Sequence, residues 1–173
     1  MAVQRIRQGI RALLAFSYTV DYQLAEQYLS AKQMVLFRQM SRTEQLHSLN
    51  VLRSVLAQSA QTPHDLAVVA LLHDVGKSRY HLAVWQKTIS VLVKKFLPAL
   101  NAQLSADNKL TFWNTPFVVR QWHPQWSAEL LSEADSAASV VWLAKHHADK
   151  AEQWHEHPNY PLLIRLQQAD DEN

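Results

Sequence analysis

Residues 65–79 read DLAVVALLHDVGKSR, an apolar run that ends in a histidine, an aspartate, a glycine and a lysine. The preceding residues 62–65, TPHD, are a helix start signal, because proline suits the first helical position and an acidic residue suits the first turn. Gly76 is a typical left-handed helix terminator. The pattern therefore predicts a helix with His73 and Asp74 at its C-terminal end, where two successive side chains can reach one site.

The rest of the chain also reads as helices. Only two glycines are present, and no run of alternating β-branched residues occurs, which disfavours a sheet. Residues 41–44, SRTE, are a capping-box pattern that predicts the start of a helix ending near residue 60. Further helices are predicted over residues 3–16, 21–40, 80–96, 124–131 (with Pro124 in its first turn), 136–147 and 161–170, with a loop-rich segment over 98–115.

These patterns predict an all-α fold, a bundle of about eight helices. The 173 residues fit one domain. We expect residues 1–40 to form an N-terminal helical extension that packs on the core. Residues 41–173 are expected to form a single compact unit that carries the candidate site.

The composition narrows the classes of protein. The formal net charge of +2 is too small to imply nucleic-acid binding by itself. No apolar run approaches the roughly 20 residues of a membrane span, and the apolar start of the chain is interrupted at residues 17–19, unlike a signal peptide. The absence of cysteine excludes disulfides, thiolate catalysis and thiolate zinc sites. We therefore expect a cytoplasmic protein with no membrane partner.

Residues that can bind metals recur along the chain. Neutral imidazole and carboxylate are good ligands for divalent metals. His47 shares a helical face with Val51 and Val55, and so it should point inward. Asp170 likewise follows leucines at helical spacing, and a buried carboxylate needs a metal ion or a hydrogen-bond donor. The candidate ligands in chain order are His47, His73, Asp74, His123, His146, His147 and Asp170.

Five ordered strings resemble segments of the HD superfamily of metal-dependent phosphohydrolases. EQLHSLNVLRSVLAQSA (44–60) resembles its first histidine helix, and DLAVVALLHDVGKSR resembles its His-Asp helix in the HDIG-type subgroup. WHPQWSAELL (122–131), VVWLAKHH (140–147) and LIRLQQADDEN (163–173) resemble its His-Pro segment, its paired-histidine helix and its closing Ala-Asp. The resemblance covers residues 44–171 and implies an HD-domain-like helical fold.

This resemblance implies a ligand set and a chemistry. The positions that match the four ligands defining the superfamily are His47, His73, Asp74 and Asp170. The positions that match the further ligands of its dinuclear members are His123, His146 and His147. In such a site Asp74 bridges two divalent metal ions (Fe, Mn or Zn), and a metal-activated hydroxide attacks a phosphomonoester or phosphodiester. The implied partner is a small phosphorylated substrate, with a nucleotide as one candidate.

Three details refine the implied site. Lys77 matches the lysine of the HDIG string and is assigned with Asp74 as a catalytic residue, because its ammonium can hold a substrate phosphate; its alternative role is to favour the helix dipole. Glu44 lies three residues before the first histidine, whereas relatives with a further metal have a carboxylate four residues before it, so Glu44 is expected to be only the capping-box acid. If one member of the histidine pair ligates, His147 is favoured, because it shares an apolar stripe with Leu143. Weaker candidates for phosphate binding are Arg79, Arg120 and Lys145.

Two other functions use the same residues. One is a non-catalytic module that binds a nucleotide or a protein and is braced by the metals. The other is an HD-fold oxygenase with a mixed-valent di-iron pair. A complete ligand set favours the hydrolase over the module, because a binding scaffold needs no open dinuclear centre. Phosphate release distinguishes the hydrolase from both alternatives, and oxygen consumption identifies the oxygenase.

Overall fold

All regular secondary structure in the described residues is helical. The computed structural model of the protein describes residues 19–80, 82–106, 110–111 and 113–173. The helices are α1 (Tyr22–Glu26), α2 (Ala31–Gln39), α3 (Arg42–Gln58), α4 (His64–Leu72), a first 3₁₀ helix (Val75–Arg79), α5 (Val84–Phe96), α6 (Pro98–Ser105), α7 (Thr115–Glu133), α8 (Ala138–His146), a second 3₁₀ helix (Ala151–Trp154) and α9 (Tyr160–Asp171). The predicted all-α class is confirmed, and the helix predicted over residues 3–16 lies outside the described residues. None of the helices in these ranges combines the length and the apolar character that a bilayer crossing needs.

Helix α4 is the centre of the main core. Every residue from Leu66 to Leu72 is at most 1% exposed, as expected of a helix that is apolar on all sides. Helices α2, α3, α8 and α9 pack against it and contribute buried side chains such as Phe37, Leu52, Leu143 and Leu163. Each side chain of this kind adds about 1.5–3 kcal/mol of transfer free energy. Phe37 also ties the described end of the predicted N-terminal extension to this core.

Helices α5, α6 and α7 form a second, smaller cluster. They pack against one another, and the core of this cluster consists of Val118, Val119 and Trp126 of α7 with the half-buried Leu82 and Trp122. Helix α7 also packs along α8 and against the first 3₁₀ helix. It therefore joins the smaller cluster to the main core.

Residues 21–40 form two helices where one is predicted. A break separates α1 from α2, and Ser30 lies at the start of α2. Its hydroxyl accepts a hydrogen bond from the Gln33 N–H, while the Gln33 side chain accepts one from the Ser30 N–H. This capping box starts a new helix. The predicted capping box of Ser41 and Glu44 is confirmed at the start of α3.

Two further differences from the predicted helices occur at prolines. The segment predicted to be loop-rich, residues 98–115, contains α6, which begins at Pro98; proline suits this position because the first helical N–H needs no partner inside the helix. Pro124 is predicted in a first turn but lies in the interior of α7. The helix predicted from residue 80 begins at Val84, after the first 3₁₀ helix.

Gly76 allows two segments of the chain to approach each other closely. It does not form a left-handed turn. It lies in the first 3₁₀ helix and its φ is not positive, so the predicted role as a left-handed terminator is wrong. A Cβ on Gly76 would lie 2.2 Å from the His123 carbonyl oxygen and 2.7 Å from the Ser127 backbone nitrogen. The Gly76 N–H donates to the Ser127 hydroxyl at 2.8 Å. Glycine thus allows the segment that follows Asp74 to lie directly against the α7 backbone.

We expect Gly76→Ala to lower the free energy of unfolding by about 3 kcal/mol or more, because the clashing atoms belong to a helix backbone that cannot rotate away. Urea denaturation of the purified variant measures this loss. Ser132→Ala, at an exposed position of α7, is the control and should change the free energy by less than about 0.5 kcal/mol. A Gly76→Ala variant as stable as Ser132→Ala would show that α7 moves aside without cost.

Candidate metal centre

Helices from both clusters bring candidate ligands to one cavity. The ligands come from α3, from the residues that follow the ends of α4 and α8, from α7, and from the last turn of α9. The sequence-predicted ligands that meet here are His47, His73, Asp74, His123, His147 and Asp170. The cavity has a volume of about 720 Å³. His73 is fully buried and does not itself line the cavity.

Asp74 is the centre of this cluster. Its Oδ1 lies 3.2 Å from Nε2 of His123 and 3.6 Å from Nε2 of His147. Its Oδ2 lies 3.6 Å from Nε2 of His73 and 2.5 Å from the Lys77 ammonium. The two oxygens of one carboxylate therefore face two different groups of side chains.

The buried histidines are oriented by hydrogen bonds to their own chain segments. Nδ1 of His73 lies 3.2 Å from the Ala70 carbonyl oxygen, and Nδ1 of His147 lies 2.7 Å from the Ala144 carbonyl oxygen. A carbonyl oxygen can only accept, so each Nδ1 carries a proton. In the neutral ring Nε2 then presents its lone pair, which is the arrangement of a metal-binding imidazole.

His123 owes its orientation to the proline that follows it. Its Nδ1 lies 2.9 Å from the Arg120 carbonyl oxygen and 3.2 Å from that of Val119. Pro124 has no N–H, so it cannot donate to the Arg120 carbonyl as a residue in a helix interior normally does. The His123 ring donates to this carbonyl instead, and its Nε2 faces Asp74. The His-Pro pair inside α7 therefore selects the tautomer of a candidate ligand.

His47 and Asp170 form a pair on the cavity wall. Nε2 of His47 lies 2.8 Å from Oδ1 of Asp170, and the same oxygen lies 3.6 Å from Nε2 of His73. Burial opposes the ionisation of Asp170, but the imidazoles of His47 and His73 outweigh it and lower the pKa of this carboxyl. Asp170 is thus a carboxylate to which the His47 imidazole donates a hydrogen bond, and this bond favours its ionised form.

Charges inside the cluster move its pKa values in different directions. Burial works against the charge of Asp74, but the ammonium of Lys77 holds the pKa of its carboxyl well below its usual range. Burial also works against the charge of Lys77, but Asp74 raises the pKa of that ammonium. Burial and the nearby Lys77 lower the pKa of His123 to about 4, so its ring is neutral near pH 7. A charged Asp74–Lys77 pair therefore lies beside a neutral imidazole.

The cluster has the donor atoms that a divalent cation requires. Ligand atoms of His47, His73 and Asp74 lie within 4.8 Å of one another, as do those of Asp74, His123 and His147. Nε2 of His123 lies 3.3 Å from Nε2 of His147, and both face Oδ1 of Asp74. Among the described residues, the buried Nε2 of His73 has no hydrogen-bond partner. Converging lone pairs repel one another unless a proton or a cation lies between them, so these buried groups can hold a metal ion.

His146 is separated from the other predicted ligands. Its Nδ1 lies 2.7 Å from Oδ2 of Asp149, and its ring packs against Trp142 and Trp154 at centroid distances of 4.8 and 4.2 Å. Consecutive helical residues point about 100° apart, so when His147 faces the cluster, His146 faces these aromatic side chains. The structure therefore brings His147 and not His146 to the cluster, and His147 is the member of the pair that the helical spacing favours.

Two side chains near the cluster are not among the sequence-predicted site residues. The Gln167 amide donates to the carbonyl oxygens of His147 and Asp149, at 2.9 and 2.8 Å, and so holds the segment that follows α8. Lys94 of α5 lines the cavity, although α5 contributes none of the candidate ligands. A helical spacing of three from Asp170 could have indicated Gln167, whereas only the packing of α5 reveals Lys94.

Comparison with known proteins assigns the family. A model of the family described as HD domain matches residues 46–172, a range that includes all six side chains of the cluster. Searches of curated proteins and of solved structures give no significant match. Because the match extends over most of the chain and contains the whole cluster, the chain belongs to the HD domain family.

Proposed function

We propose that the protein is a metal-dependent phosphohydrolase that cleaves a phosphomonoester or a phosphodiester, with nucleotides as the first class to test. The HD domain family consists generally of metal-dependent hydrolases. The observation that carries the proposal is that Asp74 belongs to two groups of ligand atoms. A carboxylate shared in this way suits a two-metal site, in which ions a few ångströms apart act on one phosphate. The string HDVGK at residues 73–77 supports assignment to the HDIG-type subgroup.

The proposed centre holds two divalent ions of Fe, Mn or Zn. The proposed ligands of one ion are His47, His73, Asp74 and Asp170. The proposed ligands of the other are Asp74, His123 and His147. Nitrogen and oxygen donors without sulfur suit these metals. When bound, the ions would supply a water of lowered pKa and positive charge opposite the phosphate oxygens.

The protein's own residues prepare this chemistry. The bonds from Nδ1 to backbone carbonyls hold His73, His123 and His147 in a single orientation, so these rings need no rearrangement when a ligand arrives. Lys77 lies at the edge of the cluster, against Oδ2 of Asp74. From there its ammonium can donate to an oxygen of a substrate phosphate. We therefore assign Lys77 to substrate binding and Asp74 to the proposed bridge.

A phosphate-release assay on nucleotides and simple phosphoesters tests the function, with protein reconstituted with Mn or Fe. Hydrolysis of at least one class is the expected result. A protein that retains its metals and releases no phosphate from any compound would contradict the proposal and favour a non-catalytic binding module. Oxygen consumption by the iron-loaded protein would favour an oxygenase.

We expect Asp74→Ala to lose bound metal and activity together, because no other described carboxylate belongs to both ligand groups. Elemental analysis and the phosphate-release assay measure the two losses. Asp74→Asn, which keeps the side-chain shape, should behave in the same way if Asp74→Ala proves unstable. Asp135→Ala, which removes an exposed carboxylate paired with Lys32, is the control and should retain both metal and activity. Full metal occupancy in the Asp74 variants would rule out the bridge.

The stoichiometry of metal binding tests the second ion. Wild-type protein should bind about two ions per chain, and His123→Ala and His147→Ala about one each, because each substitution removes a ligand of the same ion. His146→Ala is a matched control next to His147 and should keep about two ions, since its imidazole binds Asp149. Titration with Mn followed by elemental analysis gives these numbers. A wild-type stoichiometry that never exceeds one would contradict the dinuclear centre.

We expect Lys77→Ala to retain its metals and to lower kcat/KM by about tenfold to a hundredfold, or roughly 1.4 to 2.8 kcal/mol, because one charged hydrogen bond to the substrate phosphate is lost. Lys77→Arg should restore part of this loss, since a planar guanidinium replaces a compact ammonium. Steady-state kinetics on the best phosphoester, with metal content measured in parallel, provides the test. If Lys77→Ala showed wild-type kinetics, Lys77 would be only an ion-pair partner of Asp74 and would not bind the substrate phosphate.

A further inference from the structure

The cavity extends beyond the proposed metal centre to a wall formed by α5 and α7. The carboxylates that line the cavity lie on α3, on α9 and on the segments that follow α4 and α8. Among the described lining residues, the wall of α5 and α7 has no carboxylate and carries two cations, Lys94 and Arg120. The cavity is therefore acidic at one end and basic at the other.

The basic wall lies close to the metal centre. Arg120 lies three residues before His123 in α7, so the two residues share one side of the helix and are separated by roughly 4.5 Å along its axis. Lys94 lies on α5, which packs against α7. One ligand could therefore reach both the cluster around Asp74 and the two cations.

The two cations lie on packed helices that line the same cavity, and the charge of one acts on the other. Partial burial and the positive charge of Arg120 lower the pKa of Lys94. No carboxylate of the described residues forms an ion pair with Lys94 that would offset this repulsion. Positive charge contributed by two side chains on one cavity wall attracts anions. Their placement on a cavity wall thus favours the binding of an anionic group.

The rest of this wall is apolar and can contact an uncharged part of a ligand. Apolar side chains beside the cations also line the cavity: Leu82, Val91, Pro116 and Val119. A volume of about 720 Å³ lies in the usual range for pockets that bind small molecules and cofactors. The cavity thus offers a metal centre for one phosphate, an apolar surface, and a pair of cations for a second charged group.

We propose that Lys94 and Arg120 form a second phosphate-binding subsite, and that the substrate is a phosphoester with a second phosphate group on the same molecule. The planar guanidinium can bind two oxygens of a phosphate, and the ammonium supplies a compact second charge. The scissile phosphate lies at the metal centre in this arrangement. This inference rests on the proposed hydrolase function for the scissile phosphate, whereas capture of the second phosphate requires only the two cations.

The experiment compares matched substrates that differ by one phosphate. The pairs are adenosine 3′,5′-bisphosphate with adenosine 5′-monophosphate, and glucose 1,6-bisphosphate with glucose 6-phosphate. The wild-type protein should show a kcat/KM about tenfold or more higher for the bisphosphate of at least one pair. Lys94→Ala and Arg120→Gln should each lower that ratio about tenfold, and Lys94→Arg should keep most of it. Lys95→Ala is the matched control, because Lys95 is exposed, adjacent in sequence and absent from the cavity lining.

The result that would overturn the subsite is a ratio of bisphosphate to monophosphate that stays at its wild-type value in both Lys94→Ala and Arg120→Gln. If the wild-type protein hydrolyses no phosphoester, the hydrolase proposal fails on its own. The subsite is then tested by calorimetric measurement of ligand binding. Adenosine 3′,5′-bisphosphate should then bind wild-type protein and Lys95→Ala equally, and Lys94→Ala about tenfold more weakly. Absence of binding, or equal binding to all three proteins, would overturn the subsite.

Discussion

The hydrogen bond from Nδ1 of each buried imidazole to a carbonyl of its own segment is the interaction on which the candidate site depends. It fixes the tautomer and the direction of His73, His123 and His147 before any ligand arrives. Each bond is local, so the orientation of a ring follows from the backbone that carries it. For His123 the free carbonyl exists because Pro124 cannot donate to it. The site is in this respect a product of helix geometry.

These local hydrogen bonds direct the Nε2 lone pairs of the histidines toward one carboxylate, that of Asp74. Asp74 is almost fully buried, and the ammonium of Lys77 is the cation that accompanies it. A buried carboxylate without such a partner would be costly. The arrangement therefore balances charge at Asp74 while the lone pairs of His123 and His147 remain directed at the same oxygen. Lone pairs that converge on a buried carboxylate are unfavourable, and a bound cation would relieve this cost.

The position of the cavity between two packed clusters explains why residues from distant parts of the chain share it. Helix α4 is buried on all sides from Leu66 to Leu72 and carries His73 to the inner edge of the main core. Gly76 permits the next segment to lie against α7, which brings His123 to Asp74. Helix α7 also carries the smaller cluster, so α5 and Lys94 arrive at the opposite wall of the same cavity.

The sequence by itself determined the features that depend on periodicity and on neighbouring residues: the all-α class, the capping box at Ser41, and the inward direction of His47. The order of its histidine and aspartate strings also indicated the family. Tertiary structure decided the rest. Gly76 has an ordinary backbone conformation and is needed only because α7 passes close to it, and Lys94 reaches the cavity through the packing of α5. Helical spacing already favoured His147 over His146, but only the fold shows that His146 packs against tryptophans while His147 faces Asp74. These outcomes depend on which distant segments of the chain pack together. The spacing of residues within one helix does not specify that packing.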